Sequence, residues 1–192
     1  MLNKQVRGNK QEMHEATERV LEWFFSYPRK EMSLNDIVEE CSISKTTANI
    51  VIHALIDEGF LRKEELGRTW RITANNEHVY AVSRKLPWNL RHIYESDLRT
   101  LVLEQFPQAK NIILFGSYRD GSDTELSDID IAVERVDDFP PEIIPFGFFN
   151  QIGRRKNVPI NITLFSRNNV SINLFNNIAH GIVLWGFLEV RP

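Results

Sequence analysis

Cysteine is almost missing from this sequence, with Cys41 the single example among 192 residues. One thiol excludes an internal disulfide framework and a cysteine-rich zinc site, so Cys41 is expected as a buried or half-buried apolar residue. The five histidines are scattered. None stands at metal-site spacing from another His, a Cys or an acid, and all are read as structural. Long apolar runs are also missing, and the stretch Met1 to Gln11 is polar, without a segment of signal-peptide type. No membrane partner is expected from that pattern, and the cytoplasm is the expected compartment. Internal repeats and low-complexity tracts are absent. So is an excess of positive charge: residues 1–100 hold 15 Lys or Arg against 15 Asp or Glu, and the remainder carries the net charge of −3. A nucleic-acid-binding face must therefore concentrate its cations locally or be duplicated in a dimer. The composition that remains, 42% hydrophobic and 26% charged, suits a chain that buries one ordinary core or two small ones.

What is present is concentrated in one stretch, Gly116-Ser117 followed after ten residues by Asp128-Ile129-Asp130. The run Asn111 to Phe115 reads as a short buried strand that stops at Gly116, where a glycine lets the backbone approach a ligand closely. Ser117 offers a hydroxyl and an amide to a phosphate. Tyr118-Arg119-Asp120 read as the first turn of a helix, whose free amides and dipole favour an anion, and Arg119 adds a full charge. The next strand, from Asp128 to Val133, alternates at its start. Asp128 and Asp130 therefore project from one face and can share a cation. Magnesium suits such a pair, because it binds through one or two carboxylates together with substrate phosphates. A second ion roughly 3.5–4 Å away fits the two-metal scheme for in-line displacement at phosphorus.

Gly116, Ser117, Gly121, Ser127, Asp128 and Asp130 together resemble the signature of the minimal nucleotidyltransferases of the DNA polymerase beta superfamily. The resemblance runs from about Leu101 to Phe187, and Ile178 to Gly186 looks like the helix-to-strand end of those domains. It implies nucleotide binding by Gly116, Ser117, Arg119 and Ser127, and magnesium ligation and catalysis by Asp128 and Asp130. It also implies a third carboxylate on a neighbouring strand, which binds metal and helps to deprotonate the attacking hydroxyl. The matching strand here, Pro159 to Phe165, has Asn161 at that position. An amide carries no charge and cannot act as a base, and a lost general base typically costs on the order of 10²–10⁴ in rate. Glu134 is no substitute, since four residues along a strand put it about 13 Å from Asp130. Asp120 stands where the family often has a basic residue. Two readings stay open: weak or substrate-assisted catalysis, and nucleotide binding without turnover.

The N-terminal half is patterned differently. Val20, Leu21, Phe24 and Phe25 form a helical stripe that ends before Pro28. Ser33, with Asp36 three residues on, caps a short second helix, and Ser44 caps a third that runs to about Glu58 and ends at Gly59. Strands over Phe60–Glu65 and Arg68–Thr73 follow, joined through Leu66-Gly67. Three helices and a hairpin make a winged helix-turn-helix, and Asp36 through Leu61 resembles the second and recognition helices of many prokaryotic transcription regulators. That resemblance implies double-stranded DNA as a partner. Ser44, Lys45, Thr46, Thr47, Asn49, Ile50 and His53 would lie on or near the exposed side of the third helix. Arg62, Lys63, Arg68 and Arg71 would meet phosphates from the hairpin. The other reading of this module is a dimerisation or protein-docking unit.

The expected architecture is α+β. It has a winged helix-turn-helix over 1–80, a connector with the start of a linking helix over 81–100, and a nucleotidyltransferase domain of mixed β-sheet and flanking helices over 101–192. The linking helix is expected to run from Pro87 towards Phe106 with Leu98, Leu101, Val102 and Phe106 as its apolar stripe. Arg154-Arg155-Lys156 reads as a solvated loop or as a contact for a polyanionic acceptor. The expected function is magnesium-dependent transfer of a nucleoside monophosphate, AMP being one candidate, from a nucleoside triphosphate to a hydroxyl on a protein, RNA or small molecule. The alternative is a transcription regulator whose degenerate nucleotidyltransferase domain binds nucleotide without turnover. A homodimer is expected by analogy with two-fold operator sites.

Overall fold

The first helix ends where Pro28 forbids another turn. The computed structural model describes residues 2–190, with side chains from Lys10 onward. The chain divides into two compact units, Met1–Tyr80 and Ala81–Pro192.

In the first unit, α1 (Leu2–Ser26) buries Ala16, Val20, Leu21, Trp23, Phe24 and Phe25. Helix α2 (Leu34–Cys41) begins with a reciprocal capping box. The Asp36 amide donates to Ser33 Oγ at 3.2 Å, and the Ser33 amide donates to Asp36 Oδ2 at 2.8 Å. Ser33→Ala is expected to cost about 1 kcal/mol. Urea unfolding measures it, and an unchanged midpoint would show that the box is idle. Cys41 is buried at the end of α2, as an apolar residue should be. Helix α3 (Lys45–Asp57) is capped by Ser44 and buries Ala48, Val51, Ile52 and Leu55. Strands β1 (Leu61–Leu66) and β2 (Thr69–Ala74) pair antiparallel, and Met32 adds a single bridge to Ile72 that the sequence pattern did not announce.

The second unit opens with a π-helical turn (Ala81–Lys85), followed by α4 (Leu86–Glu95) and α5 (Leu98–Gln105). One continuous helix towards Phe106 was the sequence-based expectation, and this is corrected at Ser96. Its backbone is extended, with φ −89° and ψ 163°. Its hydroxyl donates to the Ile93 carbonyl at 2.7 Å and accepts from the Leu98 amide at 3.4 Å, so a local side-chain bond outcompetes the helical one. Leu98 and Val102 are buried, whereas Leu101 is 50% exposed, because it lies about 100° round the helix from Val102. Among the described residues, no helix is long and apolar enough to cross a membrane.

A five-stranded mixed sheet has the order β5-β6-β4-β3-β7. Its members are β3 (Asn111–Phe115), β4 (Ile129–Glu134), β5 (Glu142–Ile152), β6 (Arg155–Phe165) and β7 (Ile182–Gly186). Only β4 and β6 run parallel. The one-turn α6 (Ser117–Asp120) follows β3, and α7 (Ile172–Ala179) precedes β7. The alternation of strand residues makes two cores. Ile112, Leu114, Ile129, Ile131, Val133, Ile160, Ile162 and Leu164 pack with Ile93, Leu98 and Val102 on one face. Ile113, Ala132 and Phe165 pack with Ile178 of α7 on the other. The reading of Arg154–Lys156 as a solvated loop is corrected in part: Lys156 is exposed, but Arg154 and Arg155 are not. Arg154 lies in the tight β5–β6 turn, and Arg155 opens β6 with 6% exposure, because an acid and a carbonyl meet it inside.

Candidate functional site

Gly116 joins β3 to α6 with φ 70°, a left-handed conformation that favours glycine. A Cβ at that position would stand 2.5 Å from Asp130 Oδ2. The turn therefore packs directly against the carboxylate. The register explains why: Phe115, the last residue of β3, is paired with Asp130. Ser117 is half-buried, and its hydroxyl has no hydrogen-bond partner among the described residues. Arg119 is half-buried as well, and its guanidinium makes no ion pair among the described residues. Helix α6 has only four residues, which corrects the expected helix dipole. One turn has no aligned macrodipole to offer, only the individual amides that it leaves without a helical acceptor. Asp120 Oδ1 accepts from the Ser122 amide at 3.0 Å and from Ser122 Oγ at 2.6 Å.

Asp130, two residues before Ala132, shares the α7 face of the sheet with Asn161, its partner in the parallel β4–β6 pair. Asn161 Nδ2 donates to Asp128 Oδ2. The two acids and the amide thus meet at one end of β4. Burial, and secondarily the Asp128 carboxylate, push the Asp130 carboxyl up to about 6 from its ordinary value of 3.8. Ser127 sits in the preceding turn, where its Oγ accepts from the Thr124 amide at 2.9 Å. Glu134 lies on the same face at the far end of β4 and serves another purpose. Its Oε2 accepts from Asn111 Nδ2 at 2.6 Å, and its Oε1 lies 3.3 Å from Arg167 Nε.

The raised Asp130 value has a measurable sign. Between about pH 4 and 6 the folded chain keeps a proton that the unfolded chain has already lost, so this group's contribution to stability falls as pH rises through that window. Asp130→Asn is expected to remove the fall, a difference on the order of 1 kcal/mol once the shift is discounted for a half-exposed group. Urea midpoints of the metal-free proteins at pH 5 and 7.5 measure it. Parallel pH profiles for parent and variant would contradict the assignment.

Among the described residues, no group of three or more His, Cys, Asp or Glu side chains comes together. The chain supplies two carboxylates, and that donor set fits a hard divalent cation whose other positions go to phosphate and water.

In the first unit, the candidate DNA-facing residues divide into free and occupied. Ser44 Oγ accepts from the Thr47 amide at 3.1 Å and lies 2.8 Å from Thr47 Oγ1, so both hydroxyls are spent on the α3 cap. Lys45, Thr46, Asn49, Ile50 and His53 are exposed. On the hairpin, Arg62 donates to Asn75 Oδ1 at 2.9 Å. Lys63 pairs with Glu65 at 2.9 Å and lies over Trp70. Arg71 pairs with Glu31 and, at 3.5 Å, with Glu64. Arg62 and Arg68 have no ion-pair partner among the described residues, and of the four Arg68 alone also lacks a side-chain hydrogen bond there.

Sequence reasoning missed a second polar group in the second unit, formed by Lys85, Asn89, Asp123 and Arg155. Charged and amide side chains normally read as surface, and these four come from four separate segments: the Ala81–Lys85 turn, α4, the loop after α6, and β6.

Residues 95–161 match the family model of the nucleotidyltransferase domain, a span that includes Gly116, Ser117, Asp128, Asp130 and Asn161. No curated protein matches the chain. A domain of this kind implies a nucleoside triphosphate as substrate, and such domains generally use divalent metal ions. The match supports, for residues 95–161, a nucleotidyltransferase domain of the DNA polymerase beta superfamily, whose reaction is transfer of a nucleoside monophosphate.

Proposed function

We propose that this chain transfers a nucleoside monophosphate from a nucleoside triphosphate to a hydroxyl acceptor, using Asp128 and Asp130 to hold magnesium. The observation that supports the reading is the packing of the Gly116 turn against Asp130, beside the neighbouring Asp128 carboxylate. The Gly116-Ser117 amides and the Ser117 hydroxyl bind phosphate oxygens. Arg119 supplies a positive charge to the same phosphates. Magnesium bound by the pair would offset charge on the triphosphate and steady the departing oxygen. In the reaction the acceptor oxygen bonds to the α-phosphorus and the bond to pyrophosphate breaks. Asn161 cannot take the acceptor's proton, which passes to water or to the substrate itself, so turnover is expected to be slow. Incubation with magnesium and each α-labelled nucleoside triphosphate, with and without cell lysate, tests this. Label on an acceptor that disappears with Asp128→Ala/Asp130→Ala supports transfer. No label under any of these conditions contradicts it.

One observation favours a second reading. Asn161, which the family resemblance aligns with a third acid, is paired with Asp130 and donates to Asp128, an arrangement that serves nucleotide binding without a base. The first unit would then be a winged helix-turn-helix that reads double-stranded DNA through the exposed Lys45, Thr46 and Asn49 of α3, in a homodimer that duplicates this face. The paired cations of the hairpin leave Arg68 as its freest phosphate contact. Fluorescence anisotropy with duplex DNA, at two salt concentrations and with or without nucleotide, measures this. Salt-dependent binding that shifts with nucleotide supports a regulator, and no binding at low salt contradicts it.

A further inference from the structure

A second polar constellation lies beneath the loop that leads into Asp128, and the proposed reaction does not use it. Lys85, Asn89, Asp123 and Arg155 are each 6% exposed or less. Asp123 is the hub. Its Oδ1 accepts from Asn89 Nδ2 at 2.7 Å and lies 3.1 Å from Lys85 Nζ, which also donates to the Asp123 carbonyl. Asn89 Nδ2 donates again, to the Tyr118 carbonyl at 3.1 Å. Arg155 Nη1 lies 3.9 Å from the other carboxylate oxygen, Asp123 Oδ2, while Nη2 donates to the Ser127 carbonyl. Gly121 completes the contact, because a Cβ there would collide with the Ala81 carbonyl.

Stability is a poor explanation for this cluster. Burial pushes the Lys85 ammonium down and the Asp123 carboxyl up, each opposed by the other's charge. Buried ion pairs of this kind are often replaceable by apolar groups at no loss. What the cluster does is geometric. It ties residues 118–127 to the Ala81–Lys85 turn, to α4 and to β6. The carbonyl that Arg155 holds belongs to the peptide whose nitrogen is that of Asp128.

We infer that Arg155, with Asp123, Lys85 and Asn89, is a positioning residue for Asp128: the cluster fastens residues 118–127 to the Ala81–Lys85 turn, α4 and β6 and so sets where that carboxylate stands beside Asp130. The inference rests on the reading of Asp128 and Asp130 as cation ligands. Manganese(II) is the probe, its binding followed by electron paramagnetic resonance, and amide hydrogen exchange is the metal-independent readout. Arg155→Met is expected to weaken manganese binding about ten-fold or more. Exchange should speed up over residues 122–129 while β3 and the rest of β6 stay protected. Arg155→Lys, which keeps the charge but has no fork to span both partners, recovers part of the affinity. Affinity within about two-fold of the parent with unchanged exchange overturns the inference. Exchange that accelerates equally across β3, β4 and β6 overturns it too, since Arg155 would then be a general packing residue. Where Arg155→Met fails to fold, Arg155→Lys and Lys85→Met are judged by the same two readouts. A parent that binds no manganese removable by Asp128→Ala contradicts the ligand reading alone, and the local exchange pattern still decides whether the cluster fastens the loop.

Discussion

Asn161→Asp is expected to raise nucleotidyl transfer by on the order of 10²–10⁴, the range a positioned general base contributes. The geometry is already in place. Asn161 is paired in register with Asp130, and its amide reaches Asp128, so a carboxylate of nearly the same shape would enter the same group. The gain has a cost that can be measured separately. Asp130 already holds its proton up to about pH 6, through burial and then the Asp128 charge. A third carboxylate removes the one donor that Asp128 receives there and adds another negative charge. The metal-free variant should therefore lose stability relative to the parent more at pH 7.5 than at pH 5, and magnesium should restore it. Single-turnover rates with α-labelled nucleotide, beside urea midpoints at both pH values, test the two halves. Transfer no faster than the parent's would show that the missing acid is not what limits this site.

Gly116→Ala should damage both fold and site. The residue has φ 70°, and the new methyl group would fall 2.5 Å from Asp130 Oδ2. The backbone strain alone costs on the order of 1–3 kcal/mol. The collision adds a local effect, because relief requires the Asp130 carboxylate to shift from its place against the turn. Magnesium-dependent nucleotide binding should fall by at least about ten-fold, beyond what partial unfolding explains. Urea unfolding and equilibrium nucleotide binding on the same samples separate the two contributions. Binding that survives with only a lowered midpoint would mean that the turn and the carboxylate are not one unit.

Local chemistry explains what was legible in the sequence. The apolar runs of β3 and β4 are those of central strands, and the Ser33 and Ser44 caps announce α2 and α3 in a few residues. Asn161 came into view only through the family resemblance, which aligns it with a third carboxylate, and the β4–β6 register puts it opposite Asp130. The misses came from distant partners or from local competition. Strand β5 was hidden by Pro145 and Gly147, which read as breakers but sit where the β5–β6 register shifts on an edge strand. The helix break at Ser96 depends on one hydroxyl choosing a backbone partner. Arg155 reads as surface until Asp123 and the Ser127 carbonyl are known to face it. Arg71 reads as a phosphate contact until Glu31, forty residues earlier, is found beside it.

The measurement that tests the central claim most directly is equilibrium titration of the purified chain with nucleoside triphosphate and magnesium, beside Asp128→Ala/Asp130→Ala. Saturable, magnesium-dependent binding by the parent that the double variant loses, with the variant's fold confirmed by circular dichroism, is the expected result. Equal binding by parent and double variant, or no saturable binding by the parent, would contradict a nucleotide site built on Asp128 and Asp130.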